Sequence, residues 1–448
     1  MNLRVRNIIL IVFFLIFITI SPILVLYSLG YKYNFAKNTL EKTGVFFIKS
    51  FPKNSSVVLD NQKIKNTTPT QATRLLPKIY NVKIIKDGYQ PWEKNLEIYP
   101  QTTTFIEDVS LIYQKFSLQN LLSGQSFEQL LPSDDKNHLA LIEKTENSKI
   151  FWLFNTLNES FIDLYRTDLD DDLEIISWSN NNRKILFNHN GQYLVISADT
   201  SKTIHSLSKM TDLDLNNLKW DNFNDNIIYT LNNQTLFKIN YLEQSVEQVS
   251  KHSILNYLPY GQSFVVITLE EENYYLRNLN LGEDNIIFSL PYSSDYVFRL
   301  TGPKEISLFD KNQGQLYLID PADQSQPITA VFKNVLDYSW HGRQLIYWNQ
   351  TELWAAYPET GDKHLLERTG NNIYKAFWHP NAVYIFAIIG DDLKFYELDS
   401  RDRRNNYTLF NLPLTDQKEQ IFTNRKGDEL YLITSQDNQV GFYKVKIQ

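Results

Sequence analysis

The 448-residue sequence contains no cysteine. Disulfide staples, thiolate nucleophiles and thiolate metal sites are therefore excluded. A chain this long buries enough core to do without staples, and the absence suits either redox setting. Glycine is also scarce, with 15 residues in all, or about 3% against roughly 7% on average. No phosphate-cradling glycine loop and no Gly-x-Ser-x-Gly elbow occurs. The seven histidines are scattered, and none stands beside a glutamate at the spacing of a helical zinc site. Net charge is −7, pI is about 5.6 and the basic residues are dispersed, so the electrostatic footprint of a nucleic-acid binder is missing. After Tyr113 no stretch sustains a helical period over three turns.

What is present after Tyr113 is a repeat. Short runs rich in Ile, Val, Phe, Tyr and Trp alternate with turns of Asn, Asp, Gly and Ser, which is strand and turn chemistry. The repeat is anchored at Pro132, Trp178, Trp220, Pro259, Leu300, Trp340, Trp378 and Thr423, at spacings of 46, 42, 39, 41, 40, 38 and 45. A four-stranded propeller blade needs about 40–45 residues. The spacing predicts an all-β region with an eight-bladed propeller over 114–448, seven blades being the alternative. The last unit is one strand short, and Lys115-Phe116-Ser117-Leu118 is the expected closing strand, hiding two raw edges. The repeated tryptophans are expected to pack between blades.

At the other end, Ile8 to Leu29 is uncharged and almost wholly apolar. Its 22 positions at about 1.5 Å each reach roughly 33 Å, enough to cross a bilayer core. A cleaved signal peptide would have a shorter apolar region ending in small residues, and Tyr27-Ser28-Leu29-Gly30 is a poor cleavage site. The expectation is a retained anchor over 1–30, with Ile8, Phe13, Phe17, Leu24 and Leu29 facing lipid. Arg4 and Arg6 favour a cytoplasmic N-terminus, although Lys32, Lys37 and Lys42 lie close on the other side. A short head before a long body fits a single-pass signal anchor with the body exported.

A polar linker is expected over 31–43, and a small all-β domain over 44–113. Its strands read as Val45–Ile48, Val57–Leu59 and Ile79–Ile85, where Tyr80, Val82 and Ile84 alternate with polar neighbours. Asp60-Asn61 and Asp87-Gly88 are turn dipeptides. Several ordered features carry a resemblance here. They are Ser50-Phe51-Pro52, the strand and turn from Val57 to Asn61, Thr68-Pro69, Tyr80-Asn81-Val82, and Lys86-Asp87-Gly88-Tyr89 followed by Trp92. Together they resemble the PEGA domain, a β-sandwich module found mostly in bacterial surface and envelope proteins. The stretch that gives that family its name reads Pro52-Lys53-Asn54-Ser55 here. Asn61 replaces the glycine usual in the following turn, a swap that left-handed backbone tolerates. The resemblance implies a display or spacer module without catalysis. The later units are similar to the looser bacterial WD40-like and TolB-like repeats, which implies a fold and no ligand.

Candidate chemistry is thin. His341 and His379 occupy one blade position, which suggests a turn role before a shared metal or proton-transfer site. Asp168, Asp170 and Asp172 have calcium-loop spacing, but Leu173 and Ser179 stand where that loop needs glycine and glutamate. Asp212 and Asp214 form a second acidic stretch before a Trp anchor. No catalytic, metal or cofactor residue is assigned. The expectation is a non-enzymatic, membrane-anchored extracytoplasmic binding or scaffold protein of the bacterial envelope. Its propeller would present loops to a protein or glycan partner and not to nucleic acid. The alternative is a propeller-type glycan lyase or hydrolase acting on envelope polysaccharide.

Overall fold

A computed structural model describes residues 3–124, 126–280, 283–293, 295–300, 305–323, 325–412, 420–436 and 439–448. The chain divides into two compact units. The first holds residues 1–116 with 397–406 and 447–448, and the second holds 117–396 and 407–446.

The first unit begins with a helix, Leu3–Ser28, whose span Val5–Ser28 is apolar and not buried at all by protein. Length and composition suffice to cross a membrane, as in an anchor or a signal sequence. Four of the five expected anchor residues, Ile8, Phe13, Phe17 and Leu24, are exposed on the helix. The fifth, Leu29, lies one residue beyond its end, although its N–H still bonds the Val25 carbonyl at 2.9 Å. The expected linker is instead a hairpin, Tyr31–Asn34 paired with Thr39–Lys42. Its turn is made locally: the Asn34 side-chain oxygen accepts the N–H groups of Ala36 and Lys37, and Asn38 has a φ of 51°. Polar composition concealed these strands.

Two sheets follow. One has three strands in the order Thr70–Leu75, Gly44–Phe51, Thr103–Ser110, the last two parallel. The other has four, in the order Gln62–Thr67, Ser56–Leu59, Ile79–Ile85, Trp92–Glu97. Alternate residues of both sheets form one core, including Phe46, Ile48, Val57, Val82, Ile84 and Ile106, none of them exposed. Asp60 and Asn61 both take positive φ, as their turn demands.

The second unit is a β-propeller. Among the described residues it contains eight four-stranded sheets. Seven run in chain order, with first strands Ser126–Pro132, Leu173–Trp178, Asn216–Trp220, Ile254–Tyr260, Tyr296–Leu300, Asp337–His341 and Ile373–Trp378. The eighth consists of Ile421–Thr423, Glu429–Gln436 and Gln439–Lys446, completed by Leu118–Ser123. The closing strand pairs Leu118 with Val445 and Ser123 with Gly441. Of the stretch expected to close the ring, only Leu118 takes part. A bulge between Asn120 and Leu122 interrupts the strand's period and masks it in the sequence.

First strands of neighbouring blades are tied together all the way round. The indole N–H of Trp178 donates to Leu131 O, that of Trp220 to Ser177 Oγ, and that of Trp378 to Ser339 O, at 3.0–3.2 Å. The expected packing role is visible in Trp178, whose core cluster takes residues from its own blade and from the first blade. The remaining junctions use amides and cations. Lys219 donates to Tyr257 O, Asn256 to Tyr296 O, Arg299 to Tyr338 O, Lys375 to Ile421 O and Gln420 to Glu128 O. Gln129 both donates to Ile175 O and accepts from its N–H. Five first strands bulge beside these positions, including those of Gln129, Asn256 and Lys375. A bulge re-aims a side chain out of the pleat, here toward the next blade.

Candidate functional site

Two adjoining clefts of about 310 Å³ each open beside the fifth and sixth blades and share Asn334 and Asn349. Strands Ile328–Lys333, Gln344–Trp348, Glu352–Tyr357 and Asp362–Arg368 position the lining. Alternation puts Phe332 and Tyr347 in the core and leaves Lys333 and Lys363 exposed at the rim. Tyr347 and Trp354 lie opposite each other on paired strands with rings parallel to within 5° and centroids 6.2 Å apart. Trp354 is the partly exposed member of the pair, and the buried Tyr347 backs it from the core. Asn349 shapes the adjacent turn, accepting the N–H groups of Thr351 and Glu352 at 2.9 and 2.8 Å. Gly314 closes the other cleft with a φ of 61°, where a side chain would press on Val335 O at 3.0 Å.

Glu352 supplies the carboxylate. It accepts Trp354 Nε1–H at 3.1 Å and Arg368 Nε–H at 2.9 Å. These donors hold its pKa below the ordinary glutamate value. Burial, with Glu352 nearby, raises the Tyr347 phenol. A carboxylate fixed in its ionised form orients an indole and accepts ligand hydroxyls, but it is a poor proton donor. Among the described residues lining the two clefts, Glu352 is the one acid.

The residues singled out from sequence lie elsewhere and do not converge. His341 ends the first strand of the sixth blade, its ring 5.8 Å from that of Trp378. His379 is 2% exposed, accepts the Asn381 N–H at 3.2 Å through Nδ1, and packs on Phe386 and Phe395. Gly427 lies so close that an added Cβ would fall 2.2 Å from Nε2. Burial lowers the His379 pKa to about 4, and burial followed by Lys136 lowers that of His341. Both are neutral at pH 7. In the acidic stretch, Asp171 accepts hydrogen bonds from Thr167 and from Asn190 Nδ2 at 2.7 Å, and meets His189 Nε2 at 3.1 Å. Its carboxyl is held well below the usual range by these partners, Thr167 foremost. Its oxygens face protein donors, as does the Asn190 oxygen that accepts the Asp172 N–H. Among the described residues no group of three or more His, Asp or Glu is arranged to hold a metal ion.

Comparison with known proteins separates the two units. The family model of the PEGA domain matches residues 43–109. This segment is a PEGA domain. No curated protein is found to match the chain. Among solved structures, the crystal structure of the eukaryotic initiation factor is 9% identical, with a TM-score of 0.50, covering 72% of this chain and 85% of that one. The Dos1 propeller is 12% identical, with a TM-score of 0.47, covering 73% and 94%. The WD40 domain of SCAP from fission yeast is 9% identical, with a TM-score of 0.43, covering 74% and 98%. Such likenesses are to a WD40-like β-propeller fold and carry no activity.

The PEGA motif residues have local reasons. The Ser50 and Thr68 hydroxyls are buried 2.7 Å apart, and Thr68 Oγ1 also accepts the Ser55 N–H at 3.1 Å. Ser55 Oγ donates to Pro52 O at 2.8 Å. Thus the turn after Pro52 is stitched to the one at Thr68-Pro69. Lys78 pairs with Asp60 at 2.6 Å. The PEGA domain also contains the most deeply buried charge of its unit. Lys94 is 0% exposed and meets Glu397 at 3.2 Å and Asp399 at 3.3 Å, both from the 397–406 segment of the same unit. Trp92 Nε1–H donates to the other Glu397 oxygen at 3.0 Å. Burial raises the Glu397 carboxyl, opposed by Lys94, Trp92 and Asn405.

Sequence reasoning missed the cleft, the amide ring and the Lys94 cluster. A signal for the ring exists: Gln129, Asn256, Lys375 and Gln420 each stand three residues before a blade anchor, as polar breaks in the strand pattern. The cleft has no comparable signal, because its residues come from four strands.

Proposed function

We propose that the protein is a membrane-anchored binding protein of the bacterial envelope, with a cytoplasmic N-terminus and an extracytoplasmic body. The PEGA domain serves as a spacer, and the propeller holds an envelope glycan in the cleft beside Trp354. The observation that carries this reading is the partly exposed Trp354 indole, backed by Tyr347 and rimmed by Asn334, Asn349, Lys333 and Lys363. Flat rings stack on sugar faces, amides bond hydroxyls, and two lysines favour an acidic glycan. The single ionised carboxylate supports binding without turnover, so an enzymatic role is not proposed. The apolar helix, none of it buried by protein, supports the membrane assignment, and the presence of a PEGA domain, a module found mostly in bacterial surface and envelope proteins, supports the location.

Titration of the full chain in detergent with acidic envelope oligosaccharides tests the proposal. Trp354→Ala should weaken binding about thirtyfold, the loss of one hot-spot side chain of about 2 kcal/mol. Equal affinity in wild type and variant, or no binding across a glycan array, would remove the cleft from consideration. Protease treatment of intact cells tests the topology: loss of the propeller with a cytoplasmic marker spared is the expected result.

A further inference from the structure

A second cavity, of about 450 Å³, lies within the first unit between the last turn of the helix and the hairpin that follows. Ile23, Leu26 and Leu40 give it apolar walls, and Tyr27, Tyr31 and Tyr33 surround them. Lys32 and Arg74 stand at the same opening. The Arg74 guanidinium lies 3.1 Å over the Tyr27 ring and donates to Tyr27 O at 3.4 Å, while Lys32 Nζ donates to Arg74 O at 3.4 Å. The cations are thereby fixed beside the apolar walls. The one carboxylate of the hairpin, Glu41, is already bonded to Asn34 and Lys37. At the hairpin tip Phe35 is 84% exposed, its ring edge-on to Tyr33 at 5.0 Å.

We infer that this cavity is a binding site for one anionic phospholipid, with an acyl chain along Ile23, Leu26 and Leu40 and the phosphate against Lys32 and Arg74. The inference rests on the membrane reading above. Continuity decides the occupant: the cavity begins where the membrane-length helix ends, so its walls lie at the depth where chains meet headgroups. Tyrosines and cations next to a span are the residues that this interface favours. Basic residues near an anionic leaflet attract its lipids. Phe35 then enters the headgroup layer beside the occupied site.

Native mass spectrometry of the full chain, released from detergent with phosphatidylglycerol or phosphatidylcholine, tests the site. The expected result is one retained phosphatidylglycerol, preferred over phosphatidylcholine. Lys32→Gln and Arg74→Gln should each reduce retention about fivefold. Because the sequence lacks cysteine, a spin label at Phe35→Cys reports position cleanly. In vesicles it should collide with oxygen more than with a water-soluble nickel complex, unlike a label at Phe223→Cys in the propeller. Failure to retain lipid by a protein that resists alkaline extraction from membranes would overturn the site alone. Retention unchanged by both substitutions, a dimer mass in place of lipid, or a water-exposed label would do the same. Extraction by alkali would overturn the membrane reading and this site together.

Discussion

The two units use opposite devices at their centres. In the PEGA-containing unit one lysine, fully buried, faces two carboxylates and shares one of them with an indole. In the propeller the blade junctions are held by many single hydrogen bonds, mostly from indoles and amides to main-chain carbonyls. Its buried histidine is kept neutral by its surroundings. A concentrated charge cluster fails all at once when one member is lost, because the remaining charge has neither water nor partner. A distributed ring loses only about one bond's worth at a time.

The largest effect is expected where charge is concentrated. Lys94→Met leaves the buried Glu397 without its ion-pair partner, while Asp399 keeps Arg401 at 2.8 Å, and should cost about 3–5 kcal/mol. Urea unfolding of the full chain would show an early transition for the first unit. Adding Glu397→Met should return part of the loss, and a double variant worse than the single would contradict the pairing. Next comes pH. The His379 pKa of about 4 lies below the ordinary value of 6.5, so the unfolded chain binds the proton first. Stability from this group is complete above pH 6.5 and falls as pH drops toward 4, by about 3 kcal/mol in all. His379→Phe should flatten the slope of propeller stability between those limits, and an unchanged slope would assign the acid loss elsewhere. The smallest effect tests the ring: Trp220→Phe removes one donor to Ser177 and should cost about 1 kcal/mol. A loss as large as that of Lys94→Met would erase the contrast.

How much of this was legible depended on range. Blade spacing was readable because anchors such as Trp178 and Trp220 recur within each unit, and Tyr80, Val82 and Ile84 showed their strand by alternation alone. The closing strand was placed too early, since Leu118–Ser123 carries a bulge and pairs with a partner at the far end of the chain. The 31–43 hairpin was hidden because its turn depends on the Asn34 side chain and not on glycine. Lys94 gave no sign of burial in the sequence, because its partners Glu397 and Asp399 come from the distant 397–406 segment. The cleft could not be read, because Lys333 belongs to one sheet and Trp354 and Lys363 to the next, so they meet only once two blades have formed.

The shared eighth blade also sets a clock. Leu118 has to wait for Val445, its partner 327 positions later. At roughly 5–20 residues per second of synthesis, the early strand stays unmatched for about 15–65 s while seven blades assemble behind it. For that interval the nascent chain carries an open edge able to recruit other strands. Whatever escorts this chain during its manufacture must therefore guard the stretch around Leu118 until the last strand arrives.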